Sequence, residues 1–228
     1  MQAAFILLAA GRGRRLGKTK PKALLKIGGV PVFIYSLLQC RKVKLFNQIV
    51  IAVPRGYKEE FREALVRYSI KNAAEIVTGG YRRVDSVYNA VCAVGKSDFI
   101  FIHDAARPFI SKKLLEDVFR MVRKHPAVVP AVPVRSTLKY CRGGFAVDTL
   151  ERAGIYEVQT PQAFRFELIK AALVNFKNKK LKGDILDDAY LVELMGKKVK
   201  ISRGDISNFK ITYPDDLKLA RLIVKSWK

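Results

Sequence analysis

The feature that most limits how this chain can fold is a regular alternation of short apolar runs with longer amphipathic stretches. The apolar runs have strand length and cover residues 3–8, 48–53, 75–78, 99–103 and 127–132. The stretches with helical spacing lie between or after them, at residues 31–43, 57–70, 83–94 and 111–124. Strands that alternate with helices form parallel sheets covered by helices on both faces. The pattern therefore predicts an α/β fold with a mostly parallel, Rossmann-like sheet.

The second half of the chain continues this pattern after one interruption. Helices are predicted at residues 165–175, 187–195 and 214–225, and a strand at 198–201. The interruption consists of two strand-like runs, 137–141 and 145–150, joined through Arg142-Gly143-Gly144, which is typical of a β-hairpin. We expect one domain, residues 1–228, with residues 136–152 as a protruding β-arm. Such an arm either makes homodimer contacts or forms a surface flap.

The charge of the chain predicts an anionic partner. Lys and Arg number 43 against 20 Asp and Glu, a formal net charge of +23 over 228 residues. Such an excess attracts anions, either nucleic acid or a small phosphorylated substrate. The basic residues are spread along the chain, without a basic tail or an aromatic-interleaved basic stretch. This distribution favours the small substrate over nucleic acid.

Cysteine and histidine usage gives a second limit on function. The three cysteines are scattered, so the sequence indicates neither a disulfide framework nor a zinc site. Two histidines are too few for a histidine-based metal site. This usage fits a reduced, cytoplasmic compartment. The apolar run near the start is too short to span a membrane, so we interpret it as a buried strand.

The strongest chemical signal is the loop that follows the first strand. It reads Ala9-Ala10-Gly11-Arg12-Gly13-Arg14-Arg15-Leu16-Gly17, and Pro21-Lys22 comes shortly after it. Its glycines allow the backbone to approach a polyphosphate, whose oxygens successive N–H groups can then bind. Arg15 and Lys22 are placed to neutralise charge that builds up during transfer, so we predict that both are catalytic. The spacing fits neither a Rossmann dinucleotide fingerprint nor a Walker A loop.

Two further blocks follow later strands. Residues 79–87 open a helix after a strand, and an acceptor near Gly80 or Ser86 would select the amino group of cytosine. Residues 103–108 lie at the carboxyl end of a strand, where open α/β sheets bind their ligands. There Asp104 is predicted to contact Mg²⁺ or a ribose hydroxyl, and Arg107 to bind a phosphate in a fork. His103 is interpreted as structural.

Together these blocks resemble the sugar nucleotidyltransferases and, more narrowly, the 2-C-methyl-D-erythritol 4-phosphate cytidylyltransferase family. The resemblance runs through the whole chain in order. It includes residues 160–164, expected to shape the pocket, and residues 208–217. It implies a nucleotidyltransferase fold and transfer of CMP from CTP to 2-C-methyl-D-erythritol 4-phosphate, with release of pyrophosphate, in non-mevalonate isoprenoid biosynthesis. It also implies a divalent cation such as Mg²⁺ and a homodimer.

The resemblance, together with the motifs, assigns roles residue by residue. The predicted nucleotide-binding residues are Ala9, Ala10, Gly11, Gly13, Gly80, Arg83, Ser86, Asp104 and Ala105. The predicted substrate-binding residues are Asp104, Arg107, Thr137, Arg152 and Lys210. Thr137 and Arg152 would reach the substrate phosphate across the dimer interface, and Lys210 would point a cation at the phosphates. Mg²⁺ would lie mainly on the triphosphate, with Asp104 as its protein contact.

Two departures keep alternatives open at the substrate end. Leu186 and Ser136 stand where the family commonly has Thr and Asp. A cytidylyltransferase for ribitol 5-phosphate or another polyol phosphate would share the nucleotide loop and differ in this region. Two alternatives from other classes are a basic nucleic-acid-binding domain and a regulatory module that binds CTP without turnover.

Overall fold

The computed structural model is built on a central sheet, and it describes residues 1–11, 13, 20–70, 74–178 and 185–227. The strands in chain order are β1 Ala3–Leu8, β2 Lys26–Ile27, β3 Val30–Pro31, β4 Phe46–Val53, β5 Glu75–Thr78, β6 Phe99–Asp104, β7 Ala127–Pro133, β8 Leu138–Arg142, β9 Phe145–Leu150, β10 Tyr156–Val158, β11 Gln162–Arg165 and β12 Lys200–Arg203. The helices are α1 Val32–Val43, α2 Lys58–Arg67, α3 Arg83–Ala93, α4 Lys112–Val122, α5 Phe166–Asn178, α6 Asp188–Glu193 and α7 Pro214–Lys225. A 3-10 turn covers Lys22–Leu24.

The sheet is mostly parallel, as the sequence predicts. Its order is β10-β7-β11-β6-β1-β4-β5, and β12 pairs with β7. Strand β1 runs parallel to both β4 and β6, β4 runs parallel to β5, and β12 runs parallel to β7. The antiparallel strands are β10 and β11, and β11 lies between β6 and β7. The predicted α/β nucleotidyltransferase-like fold is therefore confirmed.

The sheet has helices on both faces because its central strands are apolar on both sides. Along β1, Phe5 and Leu7 belong to one buried cluster, which α1, α2 and α4 complete. The alternate residues Ala4 and Ile6 belong to the opposite cluster, completed by α3, α5 and α6. A fully buried side chain of this kind contributes roughly 1.5–3 kcal/mol to stability. Helix α7 closes a third cluster, which includes Phe109 and lies beside the 3-10 turn.

The predicted β-arm is present. Strands β8 and β9 form a separate antiparallel pair, joined through Gly143 and Gly144, whose φ angles are 59° and 84°. These left-handed conformations favour glycine, which explains the Gly-Gly pair at the turn. Large apolar side chains on the arm are exposed, with Phe145 at 77% and Val147 at 61%. The arm therefore presents an uncovered apolar surface.

The described helices include none long and apolar enough to cross a lipid bilayer.

Candidate active site

A cavity opens at the carboxyl ends of β1 and β6, where the sequence predicts the ligand. Its volume is about 590 Å³. Its lining residues come from the loop after β1, the start of α3, the loop after β6 and the segment before α7. They are Leu8, Ala9, Ala10, Gly11, Gly13, Lys22, Ala23, Gly80, Tyr81, Arg82, Arg83, Ser86, Asp104, Ala105, Ala106 and Lys210. All the predicted nucleotide-binding residues therefore line one cavity.

The described part of the glycine-rich loop, residues 9–11 and 13, continues from β1 along the cavity wall. The N–H of Ala9 donates to the carbonyl of Ala52 at 2.8 Å, which extends the β1–β4 pairing by one residue. Gly13 has a φ of +66°, and a Cβ atom there would lie 3.0 Å from the Cβ of Lys22. The left-handed φ together with this close approach favours glycine. Arg15, predicted to be catalytic, lies outside the described residues, as do residues 12, 14 and 16–19.

Lys22 is positioned by a segment from the other end of the chain. It begins the 3-10 turn, and its Nζ donates to the carbonyl of Ile211 at 2.6 Å. The N–H of Ile211 in turn donates to the carbonyl of Ala106 at 2.8 Å. The segment before α7 therefore ties Lys22 to the loop after β6 and holds its ammonium group at the cavity.

The Gly79-Gly80 turn packs tightly against the first loop. The Gly80 N–H donates to Ser86 Oγ at 3.0 Å, and that hydroxyl donates to the carbonyl of Arg82 at 3.3 Å. A Cβ atom on Gly79 would lie 2.4 Å from the Cβ of Ala10 and 2.9 Å from Ser86 Oγ. Ser86 thus shapes the cavity wall, and its lining position allows it to face a base.

A cluster of four charged side chains lies at the floor of the cavity. Arg83 binds Oδ1 of Asp104 through Nη2 at 3.2 Å and Nε at 3.3 Å. Lys210 binds the other oxygen, Oδ2, through Nζ at 2.6 Å. Arg83 also binds Asp188, at 2.7 Å and 2.8 Å. The two cations and two carboxylates balance one another at this point of a strongly basic chain.

The ion pairs fix the charge state of the cluster. Burial alone would raise the pKa of Asp104, but the charges of Arg83 and Lys210 outweigh it and hold that pKa well below its usual range. Burial would likewise lower the pKa of Arg83, but the carboxylates of Asp188 and Asp104 outweigh it and raise that pKa. Asp104 is therefore an ionised acceptor at every physiological pH.

Arg107 does not line the cavity in this structure, and its predicted fork onto a phosphate stays a prediction. Its side chain is buried, and Arg107 is only 6% exposed. Its Nη1 donates to the carbonyl of Asn208 at 2.8 Å, and its Nη2 donates to that of Val158 at 3.3 Å. Because these two N–H groups already bond backbone carbonyls, Arg107 positions the segment that carries Lys210.

Thr137 and Arg152 are not brought to the cavity within a single chain. Both are exposed at the base of the arm. Arg152 donates through Nη1 to the carbonyl of Arg135 at 2.5 Å, which bridges the two ends of the arm. The departures from the family pattern also lie outside the cavity lining, where Ser136 is exposed and Leu186 is 81% exposed.

The donor set for a metal is sparse. Within the described ranges, no three His, Cys, Asp or Glu side chains are grouped so that they could hold a metal ion. Asp104 is the carboxylate that lines the cavity, and both its oxygens bind cations. A magnesium ion can bind to proteins through a single carboxylate if substrate phosphates supply its other ligands. The site therefore fits a metal that arrives on the triphosphate.

Sequence reasoning missed several residues of this site. Tyr81 is fully exposed at the cavity mouth, and Arg82 pairs with Asp85 at 2.9 Å beside it. Both residues lie within the block 79–87, but the motif alone did not indicate that their side chains line the cavity. Asp188 was not predicted because its partner, Arg83, precedes it by 105 positions. Thr160 was assigned to the pocket wall, whereas its hydroxyl binds the backbone of Asp104 at 3.1 Å.

Comparison with known proteins agrees with this geometry over the whole chain. A family model for 2-C-methyl-D-erythritol 4-phosphate cytidylyltransferase matches residues 3–226. A protein of that name from Clostridium perfringens is 39% identical over 222 residues, which cover 96% of this chain and 97% of the relative. A protein of the same name from Bacillus mycoides is 38% identical over 216 residues, which cover 95% of each of the two chains.

Solved structures give the same result. The crystal structure of 4-diphosphocytidyl-2C-methyl-D-erythritol synthase from Anaerococcus prevotii aligns with a TM-score of 0.85 at 27% identity, over 98% of this chain and 96% of that one. That of 2-C-methyl-D-erythritol 4-phosphate cytidylyltransferase from Thermus thermophilus aligns with a TM-score of 0.81 at 30% identity, over 96% and 98%. Sequence and structure thus agree along nearly the full length, and this chain belongs to the 2-C-methyl-D-erythritol 4-phosphate cytidylyltransferase family.

Proposed function

We propose that this chain transfers CMP from CTP to 2-C-methyl-D-erythritol 4-phosphate, giving 4-diphosphocytidyl-2-C-methyl-D-erythritol and pyrophosphate. The observation that carries the proposal is the convergence of the glycine-rich loop, Lys22, Gly80, Asp104 and Lys210 on one cavity. These groups come from distant parts of a chain that matches the family along its length. The reaction belongs to non-mevalonate isoprenoid biosynthesis.

The lining residues support one placement of CTP. The triphosphate lies against the backbone of residues 9–11 and 13 and near Lys22, where N–H groups and a cation meet its charge. The cytosine lies beside Gly80 and Ser86, and the ribose lies near Asp104 and Ala105. Arg15 is proposed as the second catalytic cation beside Lys22. Arg83 acts on the nucleotide through Asp104 because both its edges already bind carboxylates.

The reaction needs positioning and charge stabilisation more than proton transfer. A phosphate oxygen of the substrate attacks the α-phosphorus of CTP, and the bond between that phosphorus and the pyrophosphate oxygen breaks. The nucleophile is mostly ionised at neutral pH, since phosphate monoesters have a second pKa near ~6. No general base is needed. Lys22 stabilises the negative charge that grows on the α-phosphate, while Lys210 beside Asp104 attracts the incoming phosphate.

We propose that Mg²⁺ or another divalent cation binds mainly to the triphosphate oxygens, with Asp104 as its protein contact. When bound, the metal would neutralise phosphate charge. Oδ1 of Asp104 accepts from Arg83 and Oδ2 accepts from Lys210, and each oxygen keeps a lone pair that could contact such a metal.

A second copy of the chain would complete the substrate end. Thr137 and Arg152 lie at the base of an arm that presents exposed apolar residues, so pairing of arms would bury this surface. We propose a homodimer in which these two side chains reach the partner's cavity and bind the substrate phosphate. The chain is proposed to be one domain acting in the cytoplasm, with no membrane or nucleic-acid partner.

Pyrophosphate release with Mg²⁺ and CTP tests this function directly. Release is expected with 2-C-methyl-D-erythritol 4-phosphate, and not with UTP, ATP or GTP in place of CTP. Lys22→Ala should lower kcat by about 10²–10³ because one positioned cation is lost. Lys26→Ala, an exposed lysine outside the cavity, is the matched control and should leave kcat unchanged.

Each of the other possible outcomes would favour a different function. Release with ribitol 5-phosphate alone would keep the chemistry and overturn the substrate. Steeply salt-dependent binding of nucleic acid without release would favour the basic binding domain. CTP binding without release would favour a regulatory module, and a folded Lys22→Ala with full activity would overturn the catalytic assignment.

A further inference from the structure

The segment Leu186-Asp187-Asp188-Ala189 lies behind the cavity instead of lining it. Asp188 is fully buried at the start of α6, and its two carboxylate oxygens bind the two terminal nitrogens of Arg83. This bidentate geometry fixes both the position and the plane of a guanidinium group. Asp188 therefore determines where Arg83 points, although it does not itself line the cavity.

The adjacent edge of the same guanidinium, which shares Nη2 with the first, binds Asp104. Its Nε and Nη2 lie 3.3 Å and 3.2 Å from Asp104 Oδ1. Arg83 is thus a rigid bridge between a carboxylate behind the cavity and a carboxylate that lines it. A shift of Arg83 would change the position of Asp104 Oδ1, and Lys210 would be left to hold the other oxygen.

Asp188 is itself held by a residue of the central sheet. Gln162, only 1% exposed on β11, accepts the backbone N–H groups of Asp188 and Ala189 through Oε1, both at 3.0 Å. Its Nε2 donates to Asp187 Oδ2 at 2.8 Å, and Asp187 caps α6 through the N–H of Tyr190. Strand β11 pairs with β6, the strand that ends at Asp104. Asp104 is therefore connected to Gln162 in two ways, through the sheet and through Arg83 and Asp188.

We propose that Asp188 is a positioning residue for the transfer reaction: it holds Arg83 so that Arg83 fixes Asp104 for nucleotide and phosphate binding. The proposal rests on the function proposed above. A buried ion pair with a structural role alone would affect stability and leave the kinetics of the folded enzyme unchanged. A positioning role instead requires that the effect of Asp188 pass through Arg83.

A double-mutant cycle separates these two roles. Asp188→Asn keeps the shape of the side chain and removes its charge, and Arg83→Gln removes the bridge. Each single variant is expected to lower kcat/KM by about 10- to 100-fold, as for other supporting contacts around active sites. The double variant should be within about threefold of Arg83→Gln, because Asp188 then has no bridge to orient. Asp117→Asn, a carboxylate on α4 remote from the cavity, is the control for the change in charge.

Failure of the positioning role can be distinguished from failure of the proposed transfer activity. Additive losses in the cycle, or wild-type kcat/KM in folded Asp188→Asn, would overturn the positioning role. If Asp188→Asn does not fold, Arg83→Lys decides. Lysine keeps the charge but lacks the planar fork that binds both oxygens of Asp188 and fixes the direction towards Asp104, so the same loss is expected and full activity overturns the proposal. If the wild-type protein releases no pyrophosphate, calorimetric binding of CTP replaces turnover, and equal affinity of wild type and Asp188→Asn is the contradicting result.

Discussion

At the scale of single residues, His103 shows how a buried group fixes the backbone of the site. Its Nε2 lies 3.0 Å from the carbonyl of Arg107, which can only accept, so Nε2 carries the proton. In the neutral ring Nδ1 then accepts from the Thr160 hydroxyl at 2.9 Å, and that hydroxyl accepts the N–H of Asp104. The chain of bonds holds the Asp104 backbone and requires a neutral ring.

This arrangement predicts loss of stability in mild acid. Burial lowers the pKa of His103 from 6.5 to about 4, so its contribution is complete above pH 6.5 and is lost as the pH falls towards 4. Between pH 7 and pH 5 the loss is about 2 kcal/mol from this residue alone. Urea unfolding without CTP or divalent cation measures it. His103→Gln should show a pH dependence smaller by that amount. Equal pH dependence in His103→Gln and wild type would contradict the assignment.

At the scale of elements, two glycine-containing turns build the nucleotide side of the cavity. The turn between β5 and α3 lies against the loop after β1, and Gly79 is the point of contact with Ala10. Both turns begin where parallel strands end at the same edge of the sheet, as the β4–β5 and β1–β4 pairings require. The two turns can therefore approach this closely only because Gly79 has no side chain.

Gly79→Ala is expected to impair catalysis more than folding. The new methyl group would meet Ala10 Cβ at 2.4 Å, so one turn must move, and overpacking of this kind costs about 1–3 kcal/mol. Displaced nucleotide contacts should lower kcat/KM at least about tenfold. Gly95→Ala is the control, because its added Cβ meets only Gln48 Oε1 at 3.7 Å. Steady-state kinetics and thermal unfolding measure both, and wild-type kinetics in Gly79→Ala would contradict the prediction.

The elements also show which parts of the fold the sequence could predict. Long strands such as β1 and β6 can be predicted from sequence, because strands buried on both faces consist mainly of apolar residues. Strands β10 and β11 were missed, since they have only three and four residues. Their conformation comes from pairing with β6 and β7, and no local pattern in so short a segment indicates such partners.

The same distinction holds for the site. The positions of Lys22, Gly80, Asp104 and Lys210 at the cavity were predictable, because each lies in a block beside a strand end or in a segment that matches the family. The burial of Arg107 could not be predicted, because its partners, the carbonyls of Val158 and Asn208, lie 51 and 101 positions away. An arginine that binds a phosphate and one that binds carbonyls look alike in sequence.

At the scale of the whole molecule, the exposed apolar residues of the arm would favour the proposed dimer, whereas the net charge would oppose it. A charge of +23 repels a second copy, particularly at low ionic strength. The exposed apolar side chains of the arm, including Tyr140 and Phe145, would gain stability by burial between copies. If the proposed dimer forms through the arm, its association should strengthen as salt screens the repulsion.

Phe145→Lys tests the arm as the dimer interface. A charge in the middle of an apolar contact should convert a dimer to a monomer in analytical ultracentrifugation. Turnover should fall too, because Thr137 and Arg152 would no longer reach a neighbouring cavity. Leu222→Lys is the control: Leu222 is 65% exposed on α7, so the dimer should persist. A wild-type monomer that is fully active would contradict the assembly.

The bond between Lys22 and Ile211 has a consequence for synthesis of the protein. It joins residues 189 positions apart, and Ile211 also ties the loop after β6 through Ala106. During synthesis Lys22 is made early, but its bond to the Ile211 carbonyl can form only after the segment before α7 has been made. A nascent chain that ends before residue 211 therefore lacks this bond at the cavity.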